Sequence, residues 1–337
     1  MTPQTPHTEI NLCDATIRMP KQIAVAWSGG ADSTALLRLL VEKGYQVQAW
    51  HVDHGWHDKS RQNADVLAEQ AKAWHIDFHV STLKKPLNNL EAEARKGRYA
   101  CFEKMSKKTG CHDVCLAHHA DDQAETVYMR MLQGAGVAGC RGMRPQRQHG
   151  QLNIWRPLLE VSRAEIESVL HDRNMHWMQD PSNQDISLWR NKIRCKVFPK
   201  IKEAGVNPQV LFLRWQKMAT VVQQKIGHAA QNIAVRVDVN HNPRRSVIDW
   251  LSWNAQSAPV RAFLLQRMIG LLFADGTVLG RRHILAIEQW REHGGNGWLN
   301  LSKCCLYRKG QDLQLCQGTL SLRESGSERM NIEVENE

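Results

Sequence analysis

The run Ser28-Gly29-Gly30-Ala31-Asp32-Ser33 puts two hydroxyls, two adjacent glycines and one carboxylate side by side. Adjacent glycines let a backbone approach a ligand with no Cβ in the way. Thr34 to Leu40 reads as a helix, and the unpaired N–H groups and dipole at a helix start favour an anion in the preceding turn. Asp32 conflicts with that, because a carboxylate repels a phosphate. A divalent cation between them removes the conflict, and Mg2+ is commonly held by one or two carboxylates plus phosphates. The plain alternative is a Ser/Gly/Asp turn between strand and helix. No G-x-x-x-x-G-K-[ST] loop occurs.

A second run, His118-His119-Ala120-Asp121-Asp122-Gln123-Ala124-Glu125-Thr126, lies where a short strand hands over to a helix. On a helix Asp121 and Glu125 share a face, as do His118 and Asp122. First-turn carboxylates suit the helix dipole, so a well-capped helix accounts for them; as a functional set they would hold Mg2+ or grip an ammonium group. Glu91, Arg95 and Arg98 share another helical face, as a solvated ion-pair surface or as guanidinium forks for phosphate. Arg190 and Arg194, with Asn191 between them, follow the polar turn Asp180-Pro181-Ser182-Asn183. Two patterns mislead. Gly134 to Gly139 matches G-x-G-x-x-G but follows a helix instead of a strand, so the dinucleotide reading fails its context. His51, His54 and His57 fit no zinc spacing, and a loop lining a nucleotide pocket suits them better.

The elements that must position these groups alternate. Ile23 to Trp27, Tyr45 to Asp53, Asp77 to Val80 and Val114 to Ala117 read as strands. Thr34 to Leu40, Lys59 to His75, Leu90 to Lys107 and His118 to Leu132 read as helices. The expected fold class is α/β, a Rossmann-like parallel sheet with helices on both faces, joined to a mostly helical second domain. Ligands of such sheets sit outside the carboxyl ends of the strands, where the Ser28–Ser33 loop, His51–His57 and His118–Glu125 fall. Expected divisions are a flexible N-terminus over 1–20, a catalytic domain over 21–204, a helical domain over 205–317 and a disordered tail over 318–337.

The chain of 337 residues exceeds one average domain, and its net charge of +10 suggests a polyanionic partner. Arg244, Arg245, Arg261, Arg267, Arg281, Arg282 and Arg291 interleave with Trp250, Trp253 and Trp290 as a phosphate-tracking face, or as solvated arginines over a tryptophan core. Nine cysteines without a C-x-x-C read as the reduced thiols of a cytoplasmic protein. No signal peptide or membrane-spanning run is evident.

The order SGGxDS directly after a strand resembles the pyrophosphate-loop signature of the ATP pyrophosphatase superfamily, which implies that ATP is cut between its α- and β-phosphates. Taken with HVDHGW (His51–Trp56), EAEARKGRY (Glu91–Tyr99), HHADDQAET (His118–Thr126), QGAGVAGCRGM (Gln133–Met143), RPLL (Arg156–Leu159), DPSNQD (Asp180–Asp185) and RNKIR (Arg190–Arg194), the chain is similar to tRNA(Ile)-lysidine synthetases over about residues 21–200. That resemblance implies ligation of L-lysine to the wobble cytidine of a minor isoleucine tRNA with a CAU anticodon. ATP adenylates the cytosine carbonyl oxygen, then the lysine amine displaces AMP. Carried over, Ser28, Gly29, Gly30, Ala31, Asp32, Ser33, His51 and Arg98 would bind ATP, with Asp32 on Mg2+. Asp32, Asp121, Asp122 and Glu125 would be catalytic. Asp122 and Glu125 would face lysine, and Arg190, Asn191 and Arg194 the tRNA; Arg281 and Arg282 are expected to face the tRNA as part of the arginine-rich second domain, which the resemblance covers only loosely. On this reading Glu125→Gln and Asp122→Asn are expected to cut the reaction with little change in melting temperature. Many relatives carry Arg-Gly-Ser-Gly where this chain has Gln133-Gly134-Ala135-Gly136. A tRNA cytidine thiolase and a non-catalytic ATP-binding tRNA chaperone are the alternatives. A homodimer is compatible with the sequence and not required by it.

Overall fold

The computed structural model describes residues 10–13, 18–53, 58–83, 90–178, 188–238, 243–273 and 277–318. The sequence calls on His54, His57 and the Asp180–Asp185 turn lie outside them. The chain divides into two compact units, the first comprising 1–133 with 140–216 and the second 134–139 with 217–337.

In the first unit, strands and helices alternate as β1 (Gln22–Ala26), α1 (Ala31–Glu42), β2 (Gln46–Asp53), α2 (Asp58–Ala73), β3 (Asp77–Thr82), α3 (Leu90–Thr109), β4 (Asp113–Cys115) and α4 (Ala120–Leu132). After a short α5 (Val137–Cys140), most of which belongs to the second unit, come the hairpin β5 (Gln146–His149) and β6 (Leu152–Trp155) and then α6 (Arg163–Asp172). The six-stranded sheet has the order β3-β2-β1-β4-β6-β5, parallel throughout except for the antiparallel edge strand β5. The parallel α/β core is therefore as expected, and the β5–β6 hairpin adds to it. β1 is buried on both faces. Ile23 and Val25 pack with Leu36, Leu37 and Leu40 of α1, Leu67 of α2 and Ile166 of α6. Ala24 faces Tyr99, Phe102 and Met105 of α3. Such two-sided burial explains the unbroken apolar run at 23–27.

Past α6, α7 (Trp189–Lys192), a π-helical turn (Ile193–Val197) and α8 (Phe198–Glu203) form one continuous segment. Pro199 lacks an N–H and crowds the carbonyl four residues back, which accounts for the widened turn just before it. The long α9 (Pro208–Ala229) begins in the first unit, where Phe212 packs with Ala124 and Val127 of α4, Ile193 and Phe198. Phe212 thus carries the first unit past residue 205.

The second unit holds α10 (Trp250–Asn254), α11 (Ala258–Leu272), α12 (Arg281–Glu292) and a five-stranded antiparallel sheet ordered β7-β8-β11-β10-β9. These strands are β7 (Arg236–Asp238), β8 (Arg245–Asp249), β9 (Trp298–Leu301), β10 (Cys304–Lys309) and β11 (Asp312–Gln317). Helices are present as expected; the sheet was not anticipated from the sequence. Trp250, Trp253 and Trp290 belong to its core. Seven of the nine cysteines are buried, while Cys195, on the π-helical turn, is exposed. No helix among the described residues is long and apolar enough to cross a membrane.

Candidate nucleotide and carboxylate site

The site lies where the sheet order reverses direction, between adjacent strands β1 and β4. This is the crevice in which open α/β sheets bind ligands.

Behind β1 the loop is built by its own side chains. Ser33 Oγ accepts from Ser28 N–H at 3.2 Å, donates to the Gly30 carbonyl at 3.1 Å and lies 3.1 Å from Ser28 Oγ. Gly29 has φ +82°, and a Cβ there would stand 2.8 Å from Met178 Sδ and 2.9 Å from Leu67 Cδ2. Met178 N–H donates to the Gly29 carbonyl at 2.9 Å. The carbonyl and N–H of one trans peptide point opposite ways, so the Gly30 N–H is turned away from Met178, at the start of α1. Ala31 opens α1 and is buried. His51, buried at the end of β2, lies beneath the loop with Nδ1 2.9 Å from the Trp27 carbonyl. That partner requires the proton on Nδ1. Burial lowers the His51 pKa, outweighing the Trp27 carbonyl and Asp53, so the ring is neutral.

Across the crevice, His119 caps α4 and is 3% exposed. Three carboxylates surround it. Its Nε2 is 3.8 Å from Asp32 Oδ1 and 3.5 Å from Asp122 Oδ2, and its Nδ1 is 3.6 Å from Asp121 Oδ2. Burial pushes the His119 pKa down, but Asp121, Asp122 and Asp32 together hold it above the ordinary value. The carboxylates diverge. Burial raises Asp32. Burial also works against Asp121 and Asp122, yet His119 and the Arg163 N–H bring Asp121 down to about 2, and His119 and Arg190 lower Asp122.

Arg163, the first residue of α6, was not singled out in the sequence. Its Nη1 reaches Asp32 Oδ2 at 2.5 Å, and its N–H donates to Asp121 Oδ2 at 2.9 Å. The local signal for it was the Ser162–Glu165 capping box, which marks where α6 begins. Asp32 Oδ1 is buried and without a hydrogen-bond partner among the described residues. An orphaned carboxylate oxygen beside an anion-favouring loop fits Mg2+, which needs few protein ligands when phosphates supply the rest.

Glu125, one turn into α4, is 1% exposed. Arg190 Nε donates to its Oε2 and Arg194 Nε to its Oε1, both at 2.7 Å. Arg194 Nη2 also reaches Asp122 Oδ1 at 3.1 Å. Burial opposes the Arg194 charge, but Glu125 more than compensates and strengthens it. The π-helical turn brings Arg190 and Arg194 to the same carboxylates, and Asn191 is buried between them. These arginines are thus partners of Glu125 and Asp122 here. Arg98 lies exposed on α3, and Arg281 and Arg282 lie exposed at the start of α12 in the second unit. His118 precedes α4 and so does not share its face with Asp122.

The fold and the loop define a PP-loop protein. The family model of the PP-loop domain matches residues 5–201, and the chain belongs to that family, whose members bind ATP. Among curated proteins, the chain is 36% identical over 192 residues to the tRNA(Ile)-lysidine synthase of Chlamydia caviae, covering 56% of this chain and 61% of that one. It is 39% identical over 192 residues to the tRNA(Ile)-lysidine synthase of Solibacter usitatus, covering 56% and 43%. It is 36% identical over 225 residues to that of Pseudomonas syringae pv. tomato, covering 62% and 48%. The chain thus spans less than two thirds of the length of these relatives. Among solved structures, the U34-tRNA thiolase NcsA from Methanococcus maripaludis with its [4Fe-4S] cluster aligns at a TM-score of 0.51 and 16% identity, over 62% of this chain and 75% of that one, a likeness of fold alone.

Proposed function

We propose that this chain is a tRNA(Ile)-lysidine synthetase, a ligase joining L-lysine to the wobble cytidine of a CAU anticodon at the expense of ATP. The observation that carries this reading is the meeting of the Ser28–Ser33 loop with the His119-centred carboxylates in one crevice. It is supported by the 33–39% identity of this half of the chain to tRNA(Ile)-lysidine synthases. ATP supplies the adenylyl group that turns the cytosine carbonyl oxygen into a leaving group, and Mg2+ offsets phosphate charge.

The loop N–H groups from Gly29 to Asp32 and the Ser28 and Ser33 hydroxyls would hold phosphate. Asp32, kept in place by Arg163, would hold Mg2+ through Oδ1, the oxygen that accepts no hydrogen bond among the described residues. His51 would keep the loop in shape through the Trp27 carbonyl. Asp122 and Glu125 would take the lysine ammonium in place of Arg190 or Arg194, which hold both carboxylates here, and the proton it sheds would pass to solvent. Arg98, with Arg281 and Arg282 of the second unit, would contact phosphate. An enzyme with this substrate works in the cytoplasm.

The test is incubation of the full chain with labelled lysine, ATP, Mg2+ and bulk bacterial tRNA. The expected result is label in tRNA with tRNA-dependent release of AMP and pyrophosphate. Release of ADP and phosphate, or lysine-independent AMP release with no label in tRNA, would overturn the reading.

A further inference from the structure

On α3 and along the β5–β6 edge, the first unit gathers arginines that form no ion pair among the described residues. Arg156, just after β6, is 3% exposed. Its Nε donates to His118 Nδ1 at 3.2 Å and its Nη1 to the Arg144 carbonyl at 2.8 Å. Neither partner is a counter-charge. Burial pulls His118 down to about 3, so its ring is neutral near pH 7. A buried guanidinium ordinarily pairs with a carboxylate, because an uncompensated charge is costly to desolvate. Among the described residues Arg156 forms no ion pair, and neither do Arg95, Arg98, Arg144 and Arg147, all four of them exposed.

These cations are neighbours. Arg95 lies 5.6 Å over the Tyr99 ring, which stands 4.3 Å from the His149 ring. Arg147 and His149 pair with Ile154 and Leu152, so both point from β5 to the sheet face that packs on α3. After burial itself, Arg95 and Arg147 are among the groups that disfavour the Arg156 charge. Arginine on an edge strand guards against pairing with another sheet, which accounts for Arg147 but not for a buried Arg156 or for α3.

The geometry points to a phosphodiester-binding surface formed by the exposed Arg95, Arg98, Arg144 and Arg147 over the buried charge of Arg156, which takes the backbone of the RNA substrate. This rests on the tRNA reading above. The surface reaches from α3 across to the edge strand, while a triphosphate already has the loop behind β1. Phosphate contacts fix register and orientation without reading sequence, so cognate and non-cognate tRNA lose affinity alike when the surface is removed.

Filter binding of tRNA across a salt series, beside equilibrium dialysis of ATP, tests it on the full chain. For Arg95→Gln with Arg147→Gln, tRNA affinity is expected to fall about tenfold and the log–log salt slope to flatten by up to about two. ATP affinity stays within about twofold, since a weakening of no more than ~0.4 kcal/mol is expected where no phosphate contact is lost. Arg156→Met is expected to weaken tRNA in the same way while melting no lower than wild type, because a buried unpaired charge is gone; should it fail to fold, the surface pair decides alone. Unchanged tRNA affinity and slope, loss confined to cognate tRNA, or loss of ATP with tRNA retained would each overturn the proposal, as would a wild-type protein that binds no tRNA. Lysine incorporation is not part of the readout. A protein that binds tRNA with this dependence but joins no lysine therefore sinks the reaction and leaves the surface standing.

Discussion

At the scale of single residues, the crevice sets chemically similar groups against one another. Burial raises Asp32, so its ionised form is disfavoured in the fold and costs stability at neutral pH. Asp121 is held at about 2, below the ordinary 3.8, so its ionisation stabilises the fold above about pH 4, and that contribution is lost as pH falls towards 2. At pH 7, Asp32→Asn should therefore melt no lower than wild type, and Asp121→Asn lower. The Asp121→Asn deficit should shrink as the pH is taken from 5 to about 3. Asp32→Asn should still lose at least about 10²-fold in AMP formation, since it removes the oxygen that suits Mg2+. Calorimetry showing the opposite order of melting would refute this account of the two carboxylates. Glu125 behaves differently from what its sequence suggests. A carboxylate on a helix face predicts a small stability effect, but two guanidiniums close on it over 65 and 69 residues of chain. Glu125→Gln leaves both half-unpaired and should cost about 1–3 kcal/mol, measurable by urea unfolding. No local pattern contains that pairing, because it is made only when α4 packs on Ile193 and Phe198.

At the scale of elements, what was legible followed from burial. A parallel strand covered on both faces must be apolar throughout, so β1 and the turn behind it stood out, and α1 followed from its spacing. The edge hairpin β5–β6 did not: three of the four β5 residues are exposed and polar, leaving no periodicity to read. Arg163 escaped for a related reason, since its partner Asp32 is 131 residues away. The loop is the most demanding element. Gly29 takes a left-handed backbone and has Met178 and Leu67 where a side chain would go. Gly29→Ala should cost about 1–3 kcal/mol and weaken ATP binding in dialysis, whereas Gly44→Ala, also left-handed but with open space, should lose only the backbone part and leave ATP binding intact. Equal ATP affinity in both variants would remove the steric argument for Gly29.

At the scale of the whole molecule, the second unit divides its arginines. Arg261 and Arg291 are committed to Glu288, and Arg245 to Asp238. Their tryptophan neighbours are core, so the interleaved pattern seen in the sequence mixes packing with surface. Arg281 and Arg282 are different: both are exposed in the first turn of α12, where a cation opposes the helix dipole. Arg281→Ala with Arg282→Ala should leave melting unchanged or slightly raised while flattening the tRNA salt slope by up to about two. An unaltered slope would assign RNA contact to the first unit alone. The second sheet was illegible because its strands are short and its residues 245–249 and 298–317 lie next to stronger helical patterns. With seven cysteines buried and Cys140 half-covered, Cys195 stands alone in the open, next in sequence to Arg194. A maleimide dye added to unmodified protein should settle there first, giving a built-in optical reporter one residue from the Glu125 ion pairs, with no engineered label needed to watch that segment respond to lysine, ATP or tRNA.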